Sequence, residues 1–170
     1  LDEFYPMCGT DHQSRNYRIH DQFLKHIDIL PENVHIPDGT ISEQEVSEYC
    51  AAYDKSIRKI DLMIIGFGEQ GQIGFNEQGS YAKSPTRLVE LSHNSRKTQS
   101  NLFFGLENTP KMAITMGIGT IMRADKIVLM AWGEDKATVV QKIVEEEISD
   151  KVPASHLQEH PNVELVIDET

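Results

Sequence analysis

Three places in the chain carry residues whose types and spacing could do chemistry. An acidic pair, Asp2 and Glu3, opens it; a glycine-rich run, GFGEQGQIG, sets Gly66, Gly68, Gly71 and Gly74 behind the apolar stretch LMII; and Glu77 follows Asn76 just beyond. Closely spaced glycines let the backbone approach a polar ligand and leave N–H groups to donate, because no Cβ stands in the way. The same residues serve a plain tight turn, and the glycines alone do not choose between the two. As a dinucleotide signature the run fails: GxGxxG spans Gly66 to Gly71, but it leads into FNEQGS instead of a long amphipathic helix, and no ribose-binding acid follows on a second strand. In a cleft Glu77 would be a general acid or base; on a surface it is one more solvated carboxylate. Asp2 and Glu3 carry the same two readings, with exposure the rule near a terminus.

Two further stretches are weaker. GIGTIMRADK, from Gly117, has a Gly-Thr turn opening a short helix, which suits either an anion held by N–H groups or an ordinary strand-to-helix connection. Lys136, after the strand that contains Met130, would neutralise a phosphate or simply be solvated. His156 and His160 stand four apart, but a proline follows and no third ligand accompanies them, so no metal site is expected. Cys8 and Cys50 lack CxxC spacing and read as two free thiols in a reducing compartment.

The elements that must position these residues follow from periodicity. Apolar positions at helical spacing predict a helix from about Gln13 to His26, and Ser42 with Glu45 predicts a capping box opening a second that runs to about Lys59. Strands are predicted at Leu62 to Ile65, Leu88 to Leu91, Ala113 to Met116, Ile127 to Ala131 and Val163 to Ile167, with helices near Ser95 to Phe104, Gly119 to Ala124 and Asp135 to Glu147. Alternating strands and helices give an α/β protein with a largely parallel sheet. In such a sheet the loop after Ile65 falls where ligands bind, beyond the carboxyl ends of the strands.

Composition excludes several classes. Sixteen basic residues against twenty-seven acidic ones give a formal charge of −11, which argues against nucleic acid or an anionic membrane as the main partner. The apolar and charged fractions, 39% and 25%, are those of an ordinary folded domain. No apolar run approaches the roughly eighteen residues of a membrane helix, and no signal peptide is visible, so a cytoplasmic location is expected. The first residue is Leu1, not Met, which reads as a cut into a longer protein.

Together these pieces resemble the glucosamine-6-phosphate deaminase (isomerase) family, related to the 6-phosphogluconolactonases. The resemblance rests on the acidic pair in LDEFYP, HIDILPENVHIPDGT, DLMIIGFGEQGQIGFNE, the TR of SPTRLVEL, AITMGIGT, GEDKA and the closing LQEHPNVELVIDE, in the family's order along essentially the whole chain. It implies an amino-sugar phosphate as substrate, converted by ring opening, proton transfer between C1 and C2 and loss of ammonia, without metal or cofactor. By position it implies that Asp2 is the base of the aldose-to-ketose step with Glu3 its neighbouring acid. Glu77 then supports ring opening, Gly68, Gly71 and Gly74 line the substrate loop, and Lys136 contacts the phosphate. Ser80 and Arg87 match an allosteric pair of some members, although Val89 and Glu90 do not follow that pattern.

Three departures qualify the implied function. Gln72 stands where the family usually has a histidine, and Gln70 where it often has an aspartate; a carboxamide hydrogen-bonds a hydroxyl but cannot take and return a proton near neutral pH. Asn101 replaces a phosphate-binding arginine of many relatives. The family's first strand-helix units, with their phosphate-cradling loop, would precede Leu1, so residues 1–170 read as a single partial domain, the C-terminal two-thirds of a three-layer fold. An exposed sheet edge would then favour a homo-oligomer. The sequence reading is thus a glucosamine-6-phosphate deaminase impaired in ring opening. A non-catalytic sugar-phosphate binder is the alternative, and a 6-phosphogluconolactonase-like hydrolase a weaker one.

Overall fold

The computed structural model describes residues 1–168, so Glu169, the last residue of the closing motif, lies outside it. The chain packs as two compact units, residues 1–51 with 87–115 and residues 52–86 with 116–168.

The first unit begins with strand β1 (Asp2–Tyr5), which is not among the predicted strands. Helix α1 (Arg15–Gln22) starts where Ser14 caps it, its hydroxyl accepting from the Tyr17 N–H at 3.2 Å. It ends at Phe23 (φ −136°, ψ −60°), and a 3-10 turn, Leu24–His26, completes the predicted segment. Helix α2 (Val46–Ser56) begins in this unit and ends in the second; ahead of it the Ser42 carbonyl accepts from the Glu45 and Val46 N–H groups, both at 3.0 Å. The Ser42 hydroxyl donates to the Glu45 carboxylate, side chain to side chain instead of the reciprocal backbone bonds of the expected capping box, and the helix proper starts a turn later. Strand β2 (Met63–Gly66) belongs to the other unit; strand β3 (Arg87–Glu90), helix α3 (His93–Gln99) and strand β4 (Met112–Thr115) complete this one.

The strands of the first unit pair in the order β1-β4-β3, antiparallel throughout. This corrects the expected largely parallel sheet for β3 and β4, although the α/β class stands. Four-residue strands carry apolar content but no mark of direction; pairing sense is decided by partners distant in sequence. Thr115 lies opposite both Asp2 and Arg87, so these three residues form one row across the sheet. One face buries Tyr5, Val46, Cys50 and Ile114, and Phe4 packs edge-on against Phe103 at 4.9 Å.

In the second unit β2, strand β5 (Ile127–Ala131) and strand β6 (Val163–Ile167) form the expected parallel sheet, in the order β2-β5-β6. Central β5 buries Ile127, Leu129 and Ala131, whereas Ile64 of outer strand β2 is 61% exposed. A short helix, α4 (Ile118–Ile121), precedes β5, and α5 (Ala137–Val144) follows it, burying Val139 and Ile143 four residues apart. Among the described residues no helix is long and apolar enough to cross a membrane.

Candidate functional site

In the first unit the acidic pair divides its labour. Glu3 is 1% exposed, and its carboxylate receives four hydrogen bonds: from the Phe4 and Arg15 N–H groups at Oε1, both 2.9 Å, and from the Ser14 hydroxyl (2.7 Å) and Asn16 N–H (2.9 Å) at Oε2. Arg15 and Asn16 are the first residues of α1, so Glu3 satisfies helix N–H groups that have no partner within the helix and places a negative charge at its positive end. All four acceptor positions of the carboxylate are in use, which makes Glu3 a residue of position; the neighbouring acid of the implied pair is built into the frame.

Asp2 is less tightly held. Its side chain is 15% exposed, and its Oδ1 lies 3.5 Å from Nε of Arg15. Its other oxygen has no hydrogen-bond partner among the described residues. Arg15 is itself held over the Phe4 ring at 5.0 Å and donates from Nη2 to the Gln99 Oε1 at 3.2 Å. Arg87 stands on the same row of the sheet as Asp2, with buried Thr115 between them.

In the second unit the glycine loop closes on itself. The Gly71 N–H donates to the Gly68 carbonyl and the Gly68 N–H to the Gln72 carbonyl, both at 2.9 Å, so these two groups serve the turn, one of the two uses the sequence leaves open. Residues 68–71 form a four-residue turn in which the first carbonyl and last N–H meet, and Gly71 at its end takes φ +75°. A side chain at Gly71 would also stand 2.5 Å from Cγ1 of Val152, and the Ala154 N–H donates to the Gly71 carbonyl at 2.8 Å. The segment after α5 therefore sets where the loop can lie.

Gln72 folds back into the same loop. Its Oε1 accepts from the Gln70 N–H at 3.0 Å, and its carboxamide covers Gly68 so closely that a Cβ there would meet Nε2 at 2.1 Å. The Gln70 side chain is exposed. Beyond Gly74 (φ +56°), Asn76 is fully buried and donates from Nδ2 to the Ile73 carbonyl (2.9 Å) and the Met116 carbonyl (2.8 Å). Half-buried Glu77 follows, its carbonyl accepting from the N–H of buried Ser80 at 2.9 Å. Lys136 is partly buried and borders a cavity of about 300 Å³ at the carboxyl ends of β5 and β6, with Gly133, Asp168 and Ile167 among its walls. The loop residues, Glu77, Ser80 and Lys136 thus belong to the second unit, and Asp2, Glu3 and Arg87 to the first.

Residues 7–166 match the family described as glucosamine-6-phosphate isomerases/6-phosphogluconolactonase. The chain belongs to that family. The glucosamine-6-phosphate deaminase of Halothermothrix orenii is 40% identical over 171 residues, covering 99% of this chain and 70% of the relative. A glucosamine-6-phosphate deaminase-like protein of Bacteroides thetaiotaomicron is 43% identical over 98% of this chain, which spans only 26% of that longer protein. Among solved structures, a monomeric glucosamine-6-phosphate deaminase superposes with a TM-score of 0.94 at 35% identity, over 99% of this chain and 70% of its own. The 6-phosphogluconolactonase of Trypanosoma cruzi shares the fold, with a TM-score of 0.74 at 20% identity over 99% of this chain and 68% of its own.

Within this member of the isomerase/lactonase family, several supporting residues carry no sequence signal. Arg15 sits in a predicted helix like any other basic residue. Asp54 receives the Thr86 N–H (2.9 Å) and hydroxyl and the Thr120 hydroxyl (2.7 Å), joining α2, the segment before β3 and α4. Thr120 is part of GIGT, whose N–H groups turn inward: Gly119 donates to the Ser84 carbonyl at 2.9 Å. That turn is the ordinary strand-to-helix connection, and a Cβ at Gly117 would stand 2.0 Å from the Ser84 oxygen. Asn76 was legible only as a neighbour of Glu77; its two carbonyl partners are the reason an amide is needed there.

Proposed function

We propose that this protein handles an amino-sugar phosphate of the glucosamine 6-phosphate type, converting it slowly to fructose 6-phosphate and ammonia. In this reading Asp2 takes the proton from C2 of the open-chain sugar and returns it at C1, after which the imine is hydrolysed and ammonia leaves. Glu77 is the surviving part of the ring-opening apparatus, Lys136 the phosphate contact, and the glycine loop the surface against which the sugar rests. The observation that carries the reading of a slowed enzyme is the Gln72 carboxamide, which accepts from the Gln70 N–H. A carboxamide holds no exchangeable proton of suitable pKa, so ring opening falls to water or to the sugar's own spontaneous opening.

The same observation favours a second reading, a sugar-phosphate binder without turnover. Ammonia release from glucosamine 6-phosphate by the full-length protein, beside its Gln72→His variant, separates the two. A faster variant supports the impaired deaminase. Calorimetric binding by both proteins with no ammonia from either overturns the deaminase reading and leaves the binder. Lactone hydrolysis has less support, since a deaminase is 40% identical to this chain and the Trypanosoma cruzi lactonase 20%.

A further inference from the structure

The cation beside Asp2 comes from a residue that the reaction scheme above does not use. Arg15 presents Nε to Oδ1 of Asp2 at 3.5 Å, and three separate contacts fix where its guanidinium lies: the Phe4 ring face at 5.0 Å, the Gln99 Oε1 at 3.2 Å, and its own backbone N–H on Glu3 at 2.9 Å. Such a plane, stacked on one side and bonded at one end, is a preorganised charge. It aims at the one carboxylate of the acidic pair that still has an oxygen to offer.

We propose that Arg15 is a positioning residue for proton transfer by Asp2 and the counter-charge that persists through the step. This rests on the reading of Asp2 as the base. As Asp2 takes a proton from the sugar carbon, the C–H electron pair becomes the C1–C2 double bond and the carbonyl π pair moves onto oxygen. The negative charge thereby leaves the carboxylate and appears on the substrate oxygen. Arg15 stays where it is, so the charge that balanced Asp2 remains beside the newly charged oxygen without reorganisation. The half-buried setting makes this larger than in water, because Asp2 is mostly shielded from solvent.

The step can be followed apart from ammonia release. Fructose 6-phosphate incubated in D2O with ammonium chloride, which restores the C2 imine, and the full-length protein should gain deuterium at C1, the proton on Asp2 exchanging with solvent before it returns. NMR reads the rate, with Asp2→Asn as the control without a base. Arg15→Gln should slow exchange about 100-fold, in the range of losing one preorganised donor, with KM for fructose 6-phosphate changed less than about threefold. Arg15→Lys, which restores the charge but not the stacked plane, should recover to within about tenfold of wild type.

A rate in Arg15→Gln within about threefold of wild type, while Asp2→Asn abolishes exchange, overturns the role of Arg15 and leaves that of Asp2. Equal losses in the Gln and Lys variants reduce Arg15 to packing and overturn the proposal as well. No exchange by the wild-type protein, or exchange untouched by Asp2→Asn, overturns the reading of Asp2 as base and this proposal with it.

Discussion

Glu3→Gln tests whether the second acid of the pair is frame or chemistry. The carboxylate is 1% exposed and accepts from Phe4, Arg15 and Asn16 N–H groups and the Ser14 hydroxyl. A glutamine keeps one oxygen and hence two of the four bonds. Its less costly orientation keeps the Phe4 and Arg15 bonds and turns the amide nitrogen toward Ser14, whose hydroxyl can rotate to accept, and toward the Asn16 N–H, which cannot. One N–H in the first turn of α1 is then left facing a donor, and the remaining bonds lose their charge assistance. Bonds to a charged group are worth about 1.5 to 3 kcal/mol each, and a charge at a helix N-terminus about 0.3 to 1. The expected loss is about 3 to 5 kcal/mol, read from urea denaturation followed by circular dichroism. Ser14→Ala, removing a cap, should cost about 1 kcal/mol by the same assay. A loss under about 1 kcal/mol in Glu3→Gln would refute the reasoning: the charge would not be holding α1, and the carboxyl would be available as an acid.

Two other outcomes follow from the geometry. Gly71→Ala combines a φ of +75° with a Cβ 2.5 Å from Val152, and should destabilise by about 2 to 4 kcal/mol; adding Val152→Ala should relieve the clash and leave the backbone strain, so additive urea midpoints in the double variant would count against the contact. Burial pushes the Tyr49 phenol above its ordinary value. The neutral form is the one the fold favours, so this contribution is complete below the unfolded phenol value of about 10 and is lost as pH rises through the higher folded value. Stability measured from about pH 8 to about pH 11.5 should fall more steeply in wild type than in Tyr49→Phe, and parallel slopes would contradict it.

Much of the fold was legible because its signals are local. Apolar runs marked β2, β5 and β6, and the α/β alternation around them has the observed parallel order. Helix ends were less so: α1 begins at Arg15 because Ser14 is the residue that reaches the Tyr17 N–H, a choice that Gln13 or Ser14 leaves open on paper. β1 is absent from the predicted strands: DEFY opens with two acids, and only the fold shows one of them turned inward to a helix start. The departures at Gln70 and Gln72 were likewise visible as residue types, but the carboxamide lying over Gly68 was not.

The sequence by itself determined the family and the presence of an acidic pair, a glycine loop and a glutamine at position 72, because each depends only on which residues occur and in what order. Only the tertiary structure decided that β3 and β4 run antiparallel to their partners, that Glu3 is bonded to the start of α1, and that Arg15 is the charge beside Asp2. Those outcomes depend on pairs such as Glu3 with Asn16 and Arg15 with Gln99, far apart along the chain. Hydrogen bonds and ion pairs act over a few ångströms of space, and separation along the chain carries no measure of that distance until the chain has folded.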